Sequence, residues 1–171
     1  TGNPLISVVN NTAISNVAGT ATIKFTQANT QAGGKIVSGR DGNYSSGATR
    51  TSNLQFYTST NATDTEKMRI DSAGNVGIGY STPIDFISVG ADNLVIGPLS
   101  GNNGITVNSA TTGYGALAFA DGTGSSDQYR GLVQYNHTAD SLALFTNAST
   151  KMTILSGGNV GIGTTSPTHK L

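Results

Sequence analysis

Along this chain, apolar residues recur at every second position. Ile23 and Phe25, Leu54 and Phe56, Met68 and Ile70, and Val76 and Ile78 each flank a polar or small residue. A period of two is that of a strand with one face buried. No window carries the stripe of an amphipathic helix. Between the alternating segments stand Gly33-Gly34, Asp41-Gly42-Asn43, Asp71-Ser72-Ala73-Gly74-Asn75 and Asp121-Gly122-Thr123-Gly124, all of which read as turn chemistry. The pattern predicts an all-β chain of short strands.

The pattern also repeats. Lys67–Pro83 recurs as Lys151–Pro167, 84 residues further on and without a gap. Upstream, Leu54–Thr58 corresponds to Leu142–Thr146, and Ala21–Phe25 to Gly115–Phe119. The change of step falls in Ser59–Glu66 against the shorter Asn147–Thr150, which is expected to be a polar hairpin loop. After each proline the pattern restarts, Pro4–Val8 resembling Pro83–Val89. The expected organisation is a first β repeat over 1–83, a second over 84–167, and the opening of a third at 168–171.

Composition sharpens this picture. Gly, Ser, Thr and Asn fill 81 of 171 positions, while hydrophobic residues make up 36%. A unit of about 80 residues buries too little surface to be more than marginal even with ordinary composition. Short polar β repeats solve this by stacking or by sharing a core between chains, so assembly is expected. Nine basic residues balance nine acidic ones, which leaves no electrostatic footprint for nucleic acid or an anionic membrane. No apolar run is long enough for a transmembrane helix. There is no cysteine, hence no disulfide framework. A start at Thr1 rather than Met leads us to expect an excerpt of a longer chain.

Gly74-Asn75-Val76-Gly77-Ile78-Gly79, ending at Pro83, and Gly158-Asn159-Val160-Gly161-Ile162-Gly163-Thr164-Thr165-Ser166-Pro167 resemble the "GNVGIGTTSP" element of bacteriophage tail fibres. Arg130–Leu142 resembles the tyrosine-histidine strand pair that precedes it there, whereas Gly33–Val37 departs from that pattern. The resemblance implies short-strand β repeats in an elongated, intertwined homotrimeric fibre, often ending in a self-cleaving intramolecular chaperone of the S74 type. The function it implies is a structural shaft segment of the virion, supporting host-cell attachment without catalysis and joined to other fibre proteins. Three alternatives stand beside it: a carbohydrate-binding module, a repeat of a trimeric adhesin on a bacterial cell surface, and a depolymerising tailspike.

Candidate chemistry is sparse. Gly77-Ile78-Gly79 and Gly161-Ile162-Gly163 lack the third glycine and following helix of a dinucleotide-binding turn. These glycines are expected where neighbouring chains approach or where a bend is needed. His137, Asp140 and Ser141 are close in sequence, but a triad needs mutual orientation; Asp140 and Thr138 are expected to cap a turn instead. Glu66 is the sole glutamate, so paired catalytic carboxylates are hard to nominate, and no cofactor or metal is expected. Tyr57 and Tyr135 are expected to pack within strands. Tyr114 and Tyr129, near glycine-rich loops, are the candidates for contact with a host surface glycan.

Overall fold

The computed structural model describes residues 19–27, 32–41, 44–61, 63–83, 85 and 93–170. The protein is all-β; two short 3-10 turns lie at Gly47–Thr49 and Asp127–Tyr129, and Pro83 and Asp85 also have 3-10 conformation. It divides into two compact units, Thr1–Gly104 and Ile105–Leu171, each holding one sheet. The first sheet contains β1 (Thr20–Gln27), β2 (Ala32–Arg40), β3 (Ser52–Thr60), β4 (Thr63–Ile70), β5 (Val76–Ile78) and β6 (Leu94–Ile96), paired in that order. The second contains β7 (Tyr114–Phe119), β8 (Gly131–Asn136), β9 (Ser141–Thr146), β10 (Ser149–Ile154) and β11 (Val160–Ile162). All neighbours are antiparallel except β5 and β6, which run parallel.

The two meanders share one register. Met68 faces Ile78 and Ile70 faces Val76, just as Met152 faces Ile162 and Ile154 faces Val160. Each has a bulge at the same lysine: pairing jumps past Lys67 between Met68 and Glu66, and past Lys151 between Met152 and Thr150. The freed carbonyls of Lys67 and Lys151 accept the N–H groups of Gly79 (2.8 Å) and Gly163 (2.9 Å). Ile23 opposite Ile36 matches Leu117 opposite Val133.

The repeated Gly-Asn-Val-Gly-Ile-Gly element has a local physical cause. Gly79 (φ 72°) and Gly163 (φ 74°) lie in the left-handed region, where glycine carries no Cβ penalty, and the chain turns back there. The returning segment lays the carbonyl of Tyr80 over Gly77 and that of Thr164 over Gly161, so a Cβ would sit 2.0 and 2.4 Å from those oxygens. Pro83 completes the return and is fully buried; Pro167 is half-buried, its Cδ 3.2 Å from where a Gly161 Cβ would stand. Of the two roles expected for these glycines, the bend is the one seen, made within their own chain. Gly74 and Gly158 carry positive φ in the preceding hairpin, which Gly74 N–H closes on the Asp71 carbonyl and Gly158 N–H on that of Leu155. Asn75 is buried and donates to Asp71 Oδ2 (3.0 Å), whereas Asn159 donates to the Pro167 carbonyl (3.1 Å).

Three expectations change. Gly33-Gly34 is not a turn but part of β2, opposite Thr26 and Phe25. The four extra residues of Ser59–Glu66 do not form a loop. Ser59 pairs with Asp64 and Thr60 with Thr63, which lengthens the hairpin by two cross-strand pairs. The hairpins close after Thr60 and Thr146, and Asn61, Asn147 and Ala148 have the positive φ of a tight hairpin. Finally, the segment beyond Pro83 does not only open a second repeat, because its Leu94–Ile96 joins the first sheet as β6 and the compact units part at Gly104. The sequence match of Pro4–Val8 to Pro83–Val89 lies largely outside the described residues.

Candidate functional site

Residues directly opposite one another on neighbouring strands share a face. On one face of the first sheet, Ile23, Ile36, Phe56, Met68, Ile78 and Ile96 form an unbroken row across all six strands. On the corresponding face of the second, Leu117, Val133, Leu144, Met152 and Ile162 form a row across five. A second apolar line runs beside each: Leu54, Ile70, Val76 and Leu94 in the first sheet, Tyr135, Leu142, Ile154 and Val160 in the second.

These rows are not the interior of the described chain. Ile23 is 45%, Leu117 59% and Ile162 74% exposed, while Ile36, Phe56, Met68, Ile96 and Met152 are half-buried. The buried aliphatic residues, Val37, Val95 and Leu132, alternate with row residues and so lie on the other face of each sheet, where the returning glycine-proline segments also pack. A single sheet whose apolar face the described residues leave partly uncovered lacks the second layer that a stable β domain requires, and exposed apolar patches are a common feature of contact surfaces between proteins.

The opposite face of the first sheet is polar and internally satisfied. Tyr57 Oη donates to Gln55 Oε1 (2.7 Å), Gln55 Nε2 to Asn53 Oδ1 (2.7 Å), and Asn53 Nδ2 to the carboxylate of Asp41. Arg69 makes a two-pronged bond to Glu66, 2.9 Å on each prong. Lys35 lies 3.2 Å from Asp64 and its ammonium 4.3 Å from the centre of the Tyr57 ring. Burial, then the adjacent Glu66 charge, pushes the Tyr57 hydroxyl above its ordinary pKa. The hydrogen bond from Ser59, and then that from Lys35, holds the Asp64 carboxyl below the usual carboxylate range. The bond to Glu66 raises Arg69 further. Alternating polar residues along Asn53, Gln55, Tyr57 and Ser59 were the sequence signal for this ladder, and they carry it on one strand face.

The residues considered for chemistry stay apart or serve the fold. Asp140 accepts the Tyr135 hydroxyl (2.8 Å), which raises the tyrosine pKa, and the Tyr135 and His137 rings meet edge to face at 5.0 Å. The hairpin is capped by Asn136, whose Oδ1 accepts the N–H groups of Thr138 (3.0 Å) and Ala139 (3.2 Å), not by Asp140 and Thr138 as expected. Asp121 is paired with Arg130 at 3.4 Å. Tyr114 is 59% exposed and lines a groove of about 270 Å³ with Gln134, Asn136, Ser141, Thr150 and Thr153. Tyr129, in the 3-10 turn, does not line that groove. Among the described residues, no three metal-ligating side chains come together.

The chain matches no protein-family model and no curated protein at a significant level.

Proposed function

We propose that this chain is a structural segment of an assembled fibre, and that copies of it associate by covering the apolar rows of both sheets. The observation that carries this reading is the recurrence, in one register, of a row of exposed and half-buried large apolar residues across each sheet. A shared core between chains would give those rows a second layer that the described residues of each unit do not complete. Threefold symmetry, and service as a phage tail-fibre shaft in the virion that supports attachment together with other fibre proteins, rest on the resemblance of Gly74–Pro83 and Gly158–Pro167. A trimeric adhesin on a bacterial surface would use the same rows. Light scattering at micromolar concentration tests the reading: it predicts a mass three times the 17.4 kDa of the chain, and a well-folded monomer would overturn it.

One observation favours a second reading. The Tyr114 groove pairs an exposed aromatic ring with amide and hydroxyl side chains, the combination on which a sugar ring can stack and hydrogen-bond. A glycan-array signal abolished by Tyr114→Ala would support a carbohydrate-binding role, and a blank array would remove it.

A further inference from the structure

Among the described residues, the outer edge of β5 is occupied and that of β11 is not. In the first sheet, Val76 N–H donates to the Asn93 carbonyl and Gly97 N–H to the Ile78 carbonyl, both at 2.8 Å, so β6 adds to β5 as a parallel strand. The N–H and C=O groups of Val76 and Ile78 therefore face away from β4. Val160-Gly161-Ile162 repeats Val76-Gly77-Ile78 residue for residue, with the same inner register and the same positive-φ glycines on each side. The outward groups of Val160 and Ile162 consequently hold the geometry that receives β6 in the first unit, and among the described residues they have no partner. The strand carries no proline or charge to blunt pairing.

We propose that the open edge of β11 binds a parallel strand of the β6 type supplied by another repeat. That occupant has an apolar Leu-Val-Ile core between an Asn carbonyl and a Gly N–H. The first unit shows the fit directly, because the same edge there holds Asn93–Gly97. Backbone bonds supply the affinity in such strand addition, and alternate side chains set the register. The occupant's leucine and isoleucine would extend the apolar rows by one strand, as Leu94 and Ile96 do beside Val76 and Ile78. The inference does not require the assembly reading, since a monomer would present the same edge.

The test uses the 171-residue protein and a fluorescent peptide of residues 91–98. Anisotropy is expected to show saturable binding, and hydrogen exchange to show new protection at the Val160 and Ile162 amides. Ile162→Pro removes an outward N–H while leaving the Gly163 bond to Lys151, and is expected to weaken binding at least tenfold. A peptide with Val95→Pro loses the central inward N–H and should not bind. The proposal is overturned if the peptide fails to bind at millimolar concentration, if Ile162→Pro binds as well as the parent, or if both amides are already protected in the free protein. Protein that is monomeric yet binds the peptide would retract the assembly reading alone; a trimer that ignores it would retract this one alone.

Discussion

The two sheets agree on one face and differ on the other. Ile23, Ile36, Phe56, Met68 and Ile78 answer to Leu117, Val133, Leu144, Met152 and Ile162, apolar at every position. On the reverse, Lys24, Lys35, Tyr57 and Glu66 stand where the second sheet has Ala118, Leu132, Phe145 and Thr150. The polar ladder Asn53-Gln55-Tyr57 becomes Ser141-Ala143-Phe145, and Arg69 becomes Thr153. A face that each unit completes by itself can be built from ion pairs or from small apolar groups, so long as buried polar atoms find partners. A face that must match other surfaces has less freedom. The constant face is therefore the one that the proposed assembly uses.

The largest effect should come from placing a charge in the constant rows. Phe56→Asp and Leu144→Asp should each weaken association by roughly a hundredfold or more, because every copy forfeits about 1.5–3 kcal/mol of apolar burial and gains a desolvated carboxylate. Sedimentation velocity would read this as a shift toward lighter species. If only one of the two variants did so, the two sheets would not share a role.

Next in size are the returning segments, which both sheets possess. Gly77→Ala and Gly161→Ala put a Cβ onto a carbonyl oxygen, so each should cost about 1–3 kcal/mol of stability by overpacking, measured by chemical denaturation. Unequal losses would show that the shared sequence element serves the two units differently.

The variable face gives smaller, asymmetric effects. Tyr57→Phe removes the donor to Gln55 and should cost about 0.5–1.5 kcal/mol, whereas Phe145 has no hydroxyl to lose. Acid should also separate the units. The bonds from Ser59 and then Lys35 hold the Asp64 carboxyl below its unfolded value. Its contribution is therefore present above that value and fades as pH falls through the depressed folded one. Hydrogen exchange should show β3 and β4 loosening in that window before β9 and β10, and simultaneous loosening would contradict the assignment. The smallest effect is expected at Thr153, whose buried Oγ1 has no partner. Thr153→Val should be neutral or slightly stabilising in a thermal melt, because it removes an orphaned hydroxyl.

Much of this arrangement was legible in the alternation and the repeat. Strand identity, the correspondence of Leu54 with Leu142 and the turn at Asp71–Asn75 follow from side-chain period and glycine placement, which are local. The hairpin at 59–66 is not legible in the sequence because polar residues that pair across strands look like polar residues in a loop. Ser59 and Asp64 are strand residues whose hydrogen bond exists only once Thr60 and Thr63 face each other. The place of β6 was hidden for a similar reason, since a parallel partner is set by a crossover rather than by a hairpin. The glycines of Gly77 and Gly161 were visible, but the carbonyl over each comes from a chain reversal that no periodicity encodes. The apolar rows needed the register itself, which only pairing reveals.

The most direct measurement exploits the absence of native cysteine. Single-cysteine variants at Leu144, in the constant row, and at its neighbour Ala143, on the reverse face, would be oxidised and their cross-linked products weighed. The account predicts efficient disulfide bonding between copies for Leu144→Cys and little for Ala143→Cys. Cross-linking through Ala143→Cys with Leu144→Cys left unlinked would contradict it.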